Sequence, residues 1–297
     1  MATETGPVVV GVDGSASSLD AVEVAAREAR LRGVPLRMVH AFGRPGGHHR
    51  PSAASPWSPG DHGLEPMAHG VLALAEERAH AAAPGVDVTR SVVVGNALEV
   101  LEIELREAAL AVVGSRGHSG FSGLLLGSTA VGLAAHGPCP LIVVRGRSDP
   151  AGAVVLAVDG SEAGAAAVDF AFAEAALRRA PLVALHVWNT WSERAYEGPG
   201  DPLNAVVADR EHLRAAEQHL LEETVAPHRE AFAQVAVELR LVHSRIRPAL
   251  IDAGRSAQLL VTGARGRGGF TGLLLGSVSQ ALLHHAPCPV ALVRGRH

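Results

Sequence analysis

The 297-residue sequence contains no lysine: all 26 of its basic residues are arginines. That absence excludes chemistry built on an amine side chain, namely Schiff bases, the phosphate lysine of a Walker loop, the strand lysine of protein kinases and Ser-Lys acylation. Cysteine is nearly as scarce. Cys139 and Cys288 are too few for a disulfide framework and fit a reducing compartment. The formal net charge is only −4, from 26 arginines against 30 acidic residues. A surface so balanced has no field of one sign with which to hold a polyanion, so no nucleic-acid partner is expected. No uninterrupted apolar run reaches the ~18 residues of a membrane span. Residues 1–7 also lack the basic and apolar stretches of a secretory leader. A cytoplasmic protein without a membrane partner is expected.

Apolar material is abundant, at 47% of residues against 19% charged, and the length suits two domains of ~150 residues each. The chain is in fact written twice. Gly114-Ser-Arg-Gly-His-Ser-Gly-Phe-Ser-Gly-Leu-Leu-Leu-Gly-Ser128 returns as Gly263-Ala-Arg-Gly-Arg-Gly-Gly-Phe-Thr-Gly-Leu-Leu-Leu-Gly-Ser277, an offset of 263 − 114 = 149. Pro138-Cys139-Pro140 returns as Pro287-Cys288-Pro289 at the same offset. Val10-Gly11-Val12-Asp13-Gly14-Ser15 matches Leu156-Ala157-Val158-Asp159-Gly160-Ser161 at an offset of 146, which places a three-residue indel in between. The two halves, 1–147 and 150–297, meet at a short polar linker ending in Pro150.

Within each half, short apolar runs alternate with longer Ala-rich stretches at helical spacing, the signature of βα units around a parallel sheet. Strands are expected near 7–13, 35–42, 89–95, 110–114 and 140–145, with helices near 17–32, 66–82, 97–108 and 127–136. The second half places strands near 152–158, 181–188, 235–242, 258–263 and 289–293, and its second helix, roughly 203–229, is longer. Segments 43–65 and 189–202, rich in Gly, Pro, Ser and His, read as long loops.

Ligands of open α/β sheets bind beyond the carboxyl ends of the strands, where strand order reverses. Asp13 closes the first strand, and the glycine-rich loop from Gly114 opens from the fourth; Asp159 and the loop from Gly263 repeat the arrangement. The spacing Gly-x2-Gly-x9-Gly-Ser has the grammar of a phosphate cradle. Gly114 and Gly117 would let the backbone turn tightly and present its N–H groups, with Gly120 further along the loop. Gly127-Ser128 would open a helix whose N-terminus favours an anion, and Arg116 would supply the compensating charge. Gly263, Arg265, Gly266, Arg267, Gly269, Gly276 and Ser277 are their counterparts. Asp13-Gly14 is equally a strong turn dipeptide, with Ser15 or Ser17 able to cap the helix that follows. His136-x2-Cys139 and His285-x2-Cys288 carry only half a zinc spacing and read as structural.

These motifs, Val-Asp-Gly-Ser after the first strand, Gly-x2-Gly-x9-Gly-Ser after the fourth and Pro-Cys-Pro before the fifth, resemble the ATP-binding class of the universal stress protein family in tandem two-domain form. The resemblance implies an α/β fold of two flavodoxin-like (Rossmann-like) domains, each a five-stranded parallel sheet of order 3-2-1-4-5 with helices on both faces. It implies ATP, with Mg2+ bridging its phosphates, across the first and fourth strands. Gly11, Asp13, Ala157 and Asp159 would then lie at the ribose and adenine, with the backbone at Ala41 and Val187 holding the base. The glycine loops would hold the phosphates. The resemblance also implies pairing of the two halves. Their apolar fifth strands, 141–144 and 290–293, would stand at sheet edges, and remaining exposed surface would favour a homodimer.

No metal-positioning carboxylate or nucleophile-orienting residue accompanies the loop, so the sequence favours a nucleotide-dependent stress-response regulator with at most slow hydrolysis or autophosphorylation, acting on an unknown protein partner. The alternatives are a flavodoxin-like FMN carrier, against which stand only three Trp and one Tyr, and a phosphate-loop ATPase with genuine turnover. The two sites are expected to be unequal. Arg267 stands where the first loop has His118, favouring tighter phosphate binding in the second half, with the difference narrowing as pH falls. Ala157 in place of Gly11 would work the other way, by crowding the ligand.

Overall fold

A computed structural model of the chain describes residues 6–42, 64–117, 126–147, 149–189, 202–266 and 275–295. It divides into two compact units, residues 1–146 with 289–292, and residues 147–288 with 293–297. In the first unit β1 (Val8–Gly11), β2 (Leu36–Phe42), β3 (Val88–Val94), β4 (Leu110–Gly114) and β5 (Leu141–Val144) alternate with α1 (Ala16–Arg32), α2 (Leu64–Ala82), α3 (Ala97–Glu104) and α4 (Ser128–His136). In the second, β6 (Ala153–Val158), β7 (Leu182–Trp188), β8 (Val237–His243) and β9 (Ala257–Gly263) alternate with α5 (Ala165–Arg178), α6 (Pro202–Ala231), α7 (Ile246–Ala253) and α8 (Ser277–His285), and the last strand, β10 (Val290–Val293), has residues 290–292 in the first unit.

The first five strands lie in the order β3-β2-β1-β4-β5 and the second five in the matching order β8-β7-β6-β9-β10. Pairing is parallel from β3 through β5 and from β8 through β9, as the resemblance implies. The Val- and Leu-rich runs of β4, β5 and β9 are buried on both faces, which is why they read as unbroken rather than alternating. The apolar edge of β5 takes another strand, as its unbroken Leu and Val run led us to expect. Within the first unit Val290, Ala291 and Leu292 pair antiparallel with Val143, Ile142 and Leu141. Backbone groups that would have invited another strand are hydrogen-bonded by the chain's own last strand.

Helix boundaries follow local chemistry. Ser15 caps α1 by accepting from the Ser18 N–H, and Gly33 ends it in the left-handed conformation. The helix expected to run to 108 closes at Glu104, tightening into a 3-10 turn over Leu105–Glu107. Both units also bury a carboxylate on their first helix, each paired one turn away: Glu28 with Arg32, and Glu174 with Arg178. The expected loops at 43–63 and 190–201 lie outside the described residues.

Candidate functional site

β1 leaves its ladder after Gly11, and the next residues build a turn from their own side chains. The Ser15 N–H donates to Asp13 Oδ1 at 2.9 Å, and Gly14 takes φ +85°, a left-handed value that glycine accommodates without strain. In the second unit the Ser161 N–H donates to Asp159 Oδ1 at 3.0 Å and Gly160 takes φ +69°. The turn thus uses one carboxylate oxygen. The other faces the glycine loop: a Cβ built on Gly117 would stand 2.6 Å from Asp13 Oδ2, and one on Gly266 would collide with Asp159 Oδ2. The turn reading and the ligand reading of these aspartates therefore describe different oxygens of the same group.

The loop starts are held against the sheet. Ser115 N–H donates to Val144 O at 3.1 Å and Gly127 N–H returns to Ser115 O at 2.8 Å; Ala264 to Val293 O and Gly276 to Ala264 O repeat both contacts. This closure brings Gly127 beside Arg116 and Gly117, and Gly276 beside Arg265. Gly127 and Gly276 are the N-caps of α4 and α8, and among the described residues no side-chain cap bond takes up the first helical N–H groups. Ser128, Ser277, Arg116 and Arg265 are exposed beside them. In the second unit Arg294 adds a further guanidinium; burial and then the charge of Arg265 hold its pKa below the ordinary arginine value. Two cations that repel one another at a loop and helix start make a field suited to an anion.

The structure brings together Asp13, Gly114, Arg116, Gly117, Gly127 and Ser128, and in the second unit Asp159, Gly263, Arg265, Gly266, Gly276 and Ser277. Ala41 and Val187 stand at the carboxyl ends of β2 and β7, across β1 and β6 from the loops. Gly120, Arg267, Gly269 and His118 lie outside the described residues.

Two expectations are revised. None of Gly114, Gly117, Gly127, Gly263, Gly266 and Gly276 has a positive φ, so tight turning is not what requires glycine there. Space is the requirement at Gly114, Gly117 and Gly266. A Cβ on Gly114 would lie 2.6 Å from the Ser17 carbonyl oxygen, so this glycine lets α1 start against the end of β4. The second revision concerns Gly11. Its Cβ would meet Leu101 Cδ1 at 3.0 Å and Val113 Cγ1 at 3.7 Å, apolar packing against α3. Ala157 occupies the matching strand position in the second unit.

Sequence reasoning missed the histidines that precede Ala41 and Val187. His40 Nδ1 lies 2.7 Å from Val12 O, and His186 Nδ1 lies 2.7 Å from Val158 O. Each ties the residue before the site aspartate to the neighbouring strand. The signal was available, since the two histidines recur at the same 146-residue offset as the aspartates. Ser17 was considered only as a helix cap. Its hydroxyl instead accepts from the Arg116 N–H at 3.4 Å, a tie that Ala163 cannot make in the second unit. Cys288 is fully buried, and no group of three metal-ligating side chains occurs among the described residues. Among the described residues no helix is long and apolar enough to cross a membrane.

The family model of the universal stress proteins matches residues 4–145 and again 151–294. The chain is 33% identical over 302 residues to a universal stress protein of Mycobacterium tuberculosis strain H37Rv, covering 97% of this chain and 96% of the relative. It is 35% identical over 315 residues to one from Mycolicibacterium smegmatis, covering 99% of each. Its fold is similar to the crystal structure of a universal stress protein from Archaeoglobus fulgidus, with a TM-score of 0.65 at 18% identity over 99% of both chains. Two matches to one family model, together with relatives aligned end to end, show that the chain belongs to the universal stress protein family and carries its domain twice.

Proposed function

We propose that each unit binds an adenine nucleotide, ATP in the first place, and that the protein is a nucleotide-dependent regulator of the stress response rather than an efficient enzyme. One observation carries the reading. In both units an aspartate oxygen, a glycine that could bear no Cβ beside it, and an N-terminal helix turn without a side-chain cap converge at the carboxyl end of the sheet. Phosphates suit the loop and helix start, where N–H groups and Arg116 or Arg265 offer donors and positive charge. Asp13 and Asp159 suit ribose hydroxyls, and the strand ends at Ala41 and Val187 offer backbone groups to a base. Mg2+ would bridge the phosphates, taking its ligands largely from them and from water.

The test is direct. Denatured purified protein should release an adenine nucleotide detectable by mass spectrometry, and calorimetry should show two sites per chain. Gly127→Ala and Gly276→Ala place a methyl only 3.5–3.8 Å from Ala264 O, Arg116 Cα and their neighbours, which is ordinary contact. These variants should keep the unfolding temperature of the parent while weakening ATP, because the methyl enters the cradle. A bound flavin, or ATP affinity unchanged in the double variant, would overturn the assignment. Phosphate release under saturating ATP separates a binding protein from an ATPase with genuine turnover.

A further inference from the structure

With β5 paired to the last strand, each unit keeps one edge strand, β3 in the first and β8 in the second. Sheet edges are ordinarily blunted by lysine, proline or a bulge. β8 has the sequence VELRLVH, without lysine or proline, and pairs with β7 in unbroken register from Val237 to His243. The direction of its free backbone groups follows from that partner. Leu182 N–H donates to Ala236 O at 2.9 Å and Ser244 N–H to Trp188 O at 3.0 Å. Because backbone groups alternate along a strand, the even-numbered residues turn theirs toward β7, and Val237, Leu239 and Leu241 turn theirs away from it. Among the described residues no strand lies beyond β8. Side chains alternate as well. Val237, Leu239 and Leu241 lie on the face where His186 meets Glu217 of α6, and each is half-buried. Glu238 and Arg240 lie exposed on the opposite face, with Arg240 Nε donating to Glu238 Oε1 at 2.9 Å.

We infer that β8 is the surface on which a second copy of this chain docks, by antiparallel two-fold pairing of the two edges centred on Leu239. In such a pairing, residues whose backbone groups face outward must meet one another across the axis. Centred on Leu239, the hydrogen-bonded pairs are Leu239 with its own copy and Val237 with Leu241 in both directions. Glu238 then stands opposite Arg240 of the second copy, and Arg240 opposite its Glu238, in the non-hydrogen-bonded pairs where side chains come closest. Neighbouring registers lose this match. Centring on Glu238 sets carboxylate against carboxylate, and centring on Arg240 sets guanidinium against guanidinium. Only one register makes each charge meet its opposite, and it is one that the backbone phase of β8 allows. Half-buried Val237, Leu239 and Leu241 are covered in the same step. β3 offers no such match, because its single charged side chain, Arg90, is held by Glu76 of α2 and the strand carries no acid. The inference uses neither nucleotide site and is independent of the nucleotide reading.

Sedimentation equilibrium of the full chain without nucleotide reads the association. The parent should show a concentration-dependent equilibrium between monomer and dimer. Glu238→Arg and Arg240→Glu each set like charges opposite one another and should weaken dimerisation at least about tenfold. The double variant, which swaps the two charges, should restore it. An equimolar mixture of the two single variants should associate as tightly as the parent, although each chain in it lacks its internal ion pair. A pair that served only the fold of its own chain would not be rescued by mixing. Leu239→Pro removes the central outward N–H, which makes no bond to β7, so it should leave a monomer with the circular dichroism of the parent. A parent that stays monomeric at every concentration reached overturns the inference. So does a dimer unmoved by both charge reversals and by Leu239→Pro, because its interface lies elsewhere. Single variants that stay weakly associated when mixed overturn the register centred on Leu239.

Discussion

The first unit reinforces its scaffold with polar contacts where the second leaves space, and the two units hold their site loops through different side chains. Arg37 of β2 and Glu104 of α3 form an ion pair at 3.1 Å in the first unit. The matching positions in the second unit are Val183 and Ala253, and both line a cleft of about 390 Å³ floored by Val155 and Val237 and rimmed by Glu238 and Arg240. At the ligand end the contrast reverses. The second unit has Glu217 against His186 and Arg294 beside Arg265, whereas the first ties its loop to Ser15 and Ser17. A duplicated fold can thus keep its hydrogen-bond skeleton while its two copies diverge at separate ends of the strands.

The largest effect should come from the buried carboxylates both units share. Glu28→Ala removes the buried carboxylate that Arg32 meets one turn away and should cost about 3–5 kcal/mol of stability, measured by urea unfolding. Glu174→Ala should cost a comparable amount, since each arginine keeps one acceptor at 3.4 Å, Gln258 Oε1 for Arg178 and the Glu28 carbonyl oxygen for Arg32. A loss confined to one unit would show that the buried pair matters in that unit alone.

Next come the loop glycines. Gly117→Val should reduce ATP affinity at the first site at least about a hundredfold, a β-branched side chain displacing the Asp13 carboxylate from the loop. Gly266→Val should do the same at the second, so that calorimetry reports one site for each single variant and none for the pair. Arg294→Ala should weaken only the second site, by about tenfold, through loss of one charge-assisted contact. A drop at both sites would mean that Arg294 supports the fold rather than the anion.

The smallest effect belongs to the ion pair of the first unit. Arg37 is 41% exposed, so solvent screens its attraction to Glu104, and Glu104→Ala should cost less than about 1 kcal/mol in thermal unfolding. A larger loss would show that the pair fills space in the first unit as well as balancing charge. The cleft of the second unit would then be a packing deficit that Val183→Arg with Ala253→Glu could fill.

Much of this architecture was legible in residue order. The βα alternation, the repeat and the position of Asp13 and Asp159 beside the glycine loops all follow from patterns local to a few residues: unbroken Val and Leu runs, Ser15 before a helix, an Asp-Gly turn. The reasons behind the glycines were not legible. Nothing in the sequence distinguishes Gly114, excluded from bearing a Cβ by the Ser17 carbonyl, from Gly127, where a methyl meets only ordinary contact, because the deciding atoms lie on other segments. The same holds for Gly11, whose missing Cβ points at Leu101 of α3 and not at a ligand.

By itself the sequence determined two βα repeats, their phosphate-loop grammar and the family to which they belong, since each depends on spacing along the chain. Tertiary structure decided the antiparallel register of β5 with the last strand, that one oxygen of each site aspartate serves the turn while the other faces the loop, and that Glu217 meets His186 across 31 residues. Those facts depend on which atoms of distant segments come within hydrogen-bond reach. Packing of the helices against the sheet sets that distance, and no local pattern records it.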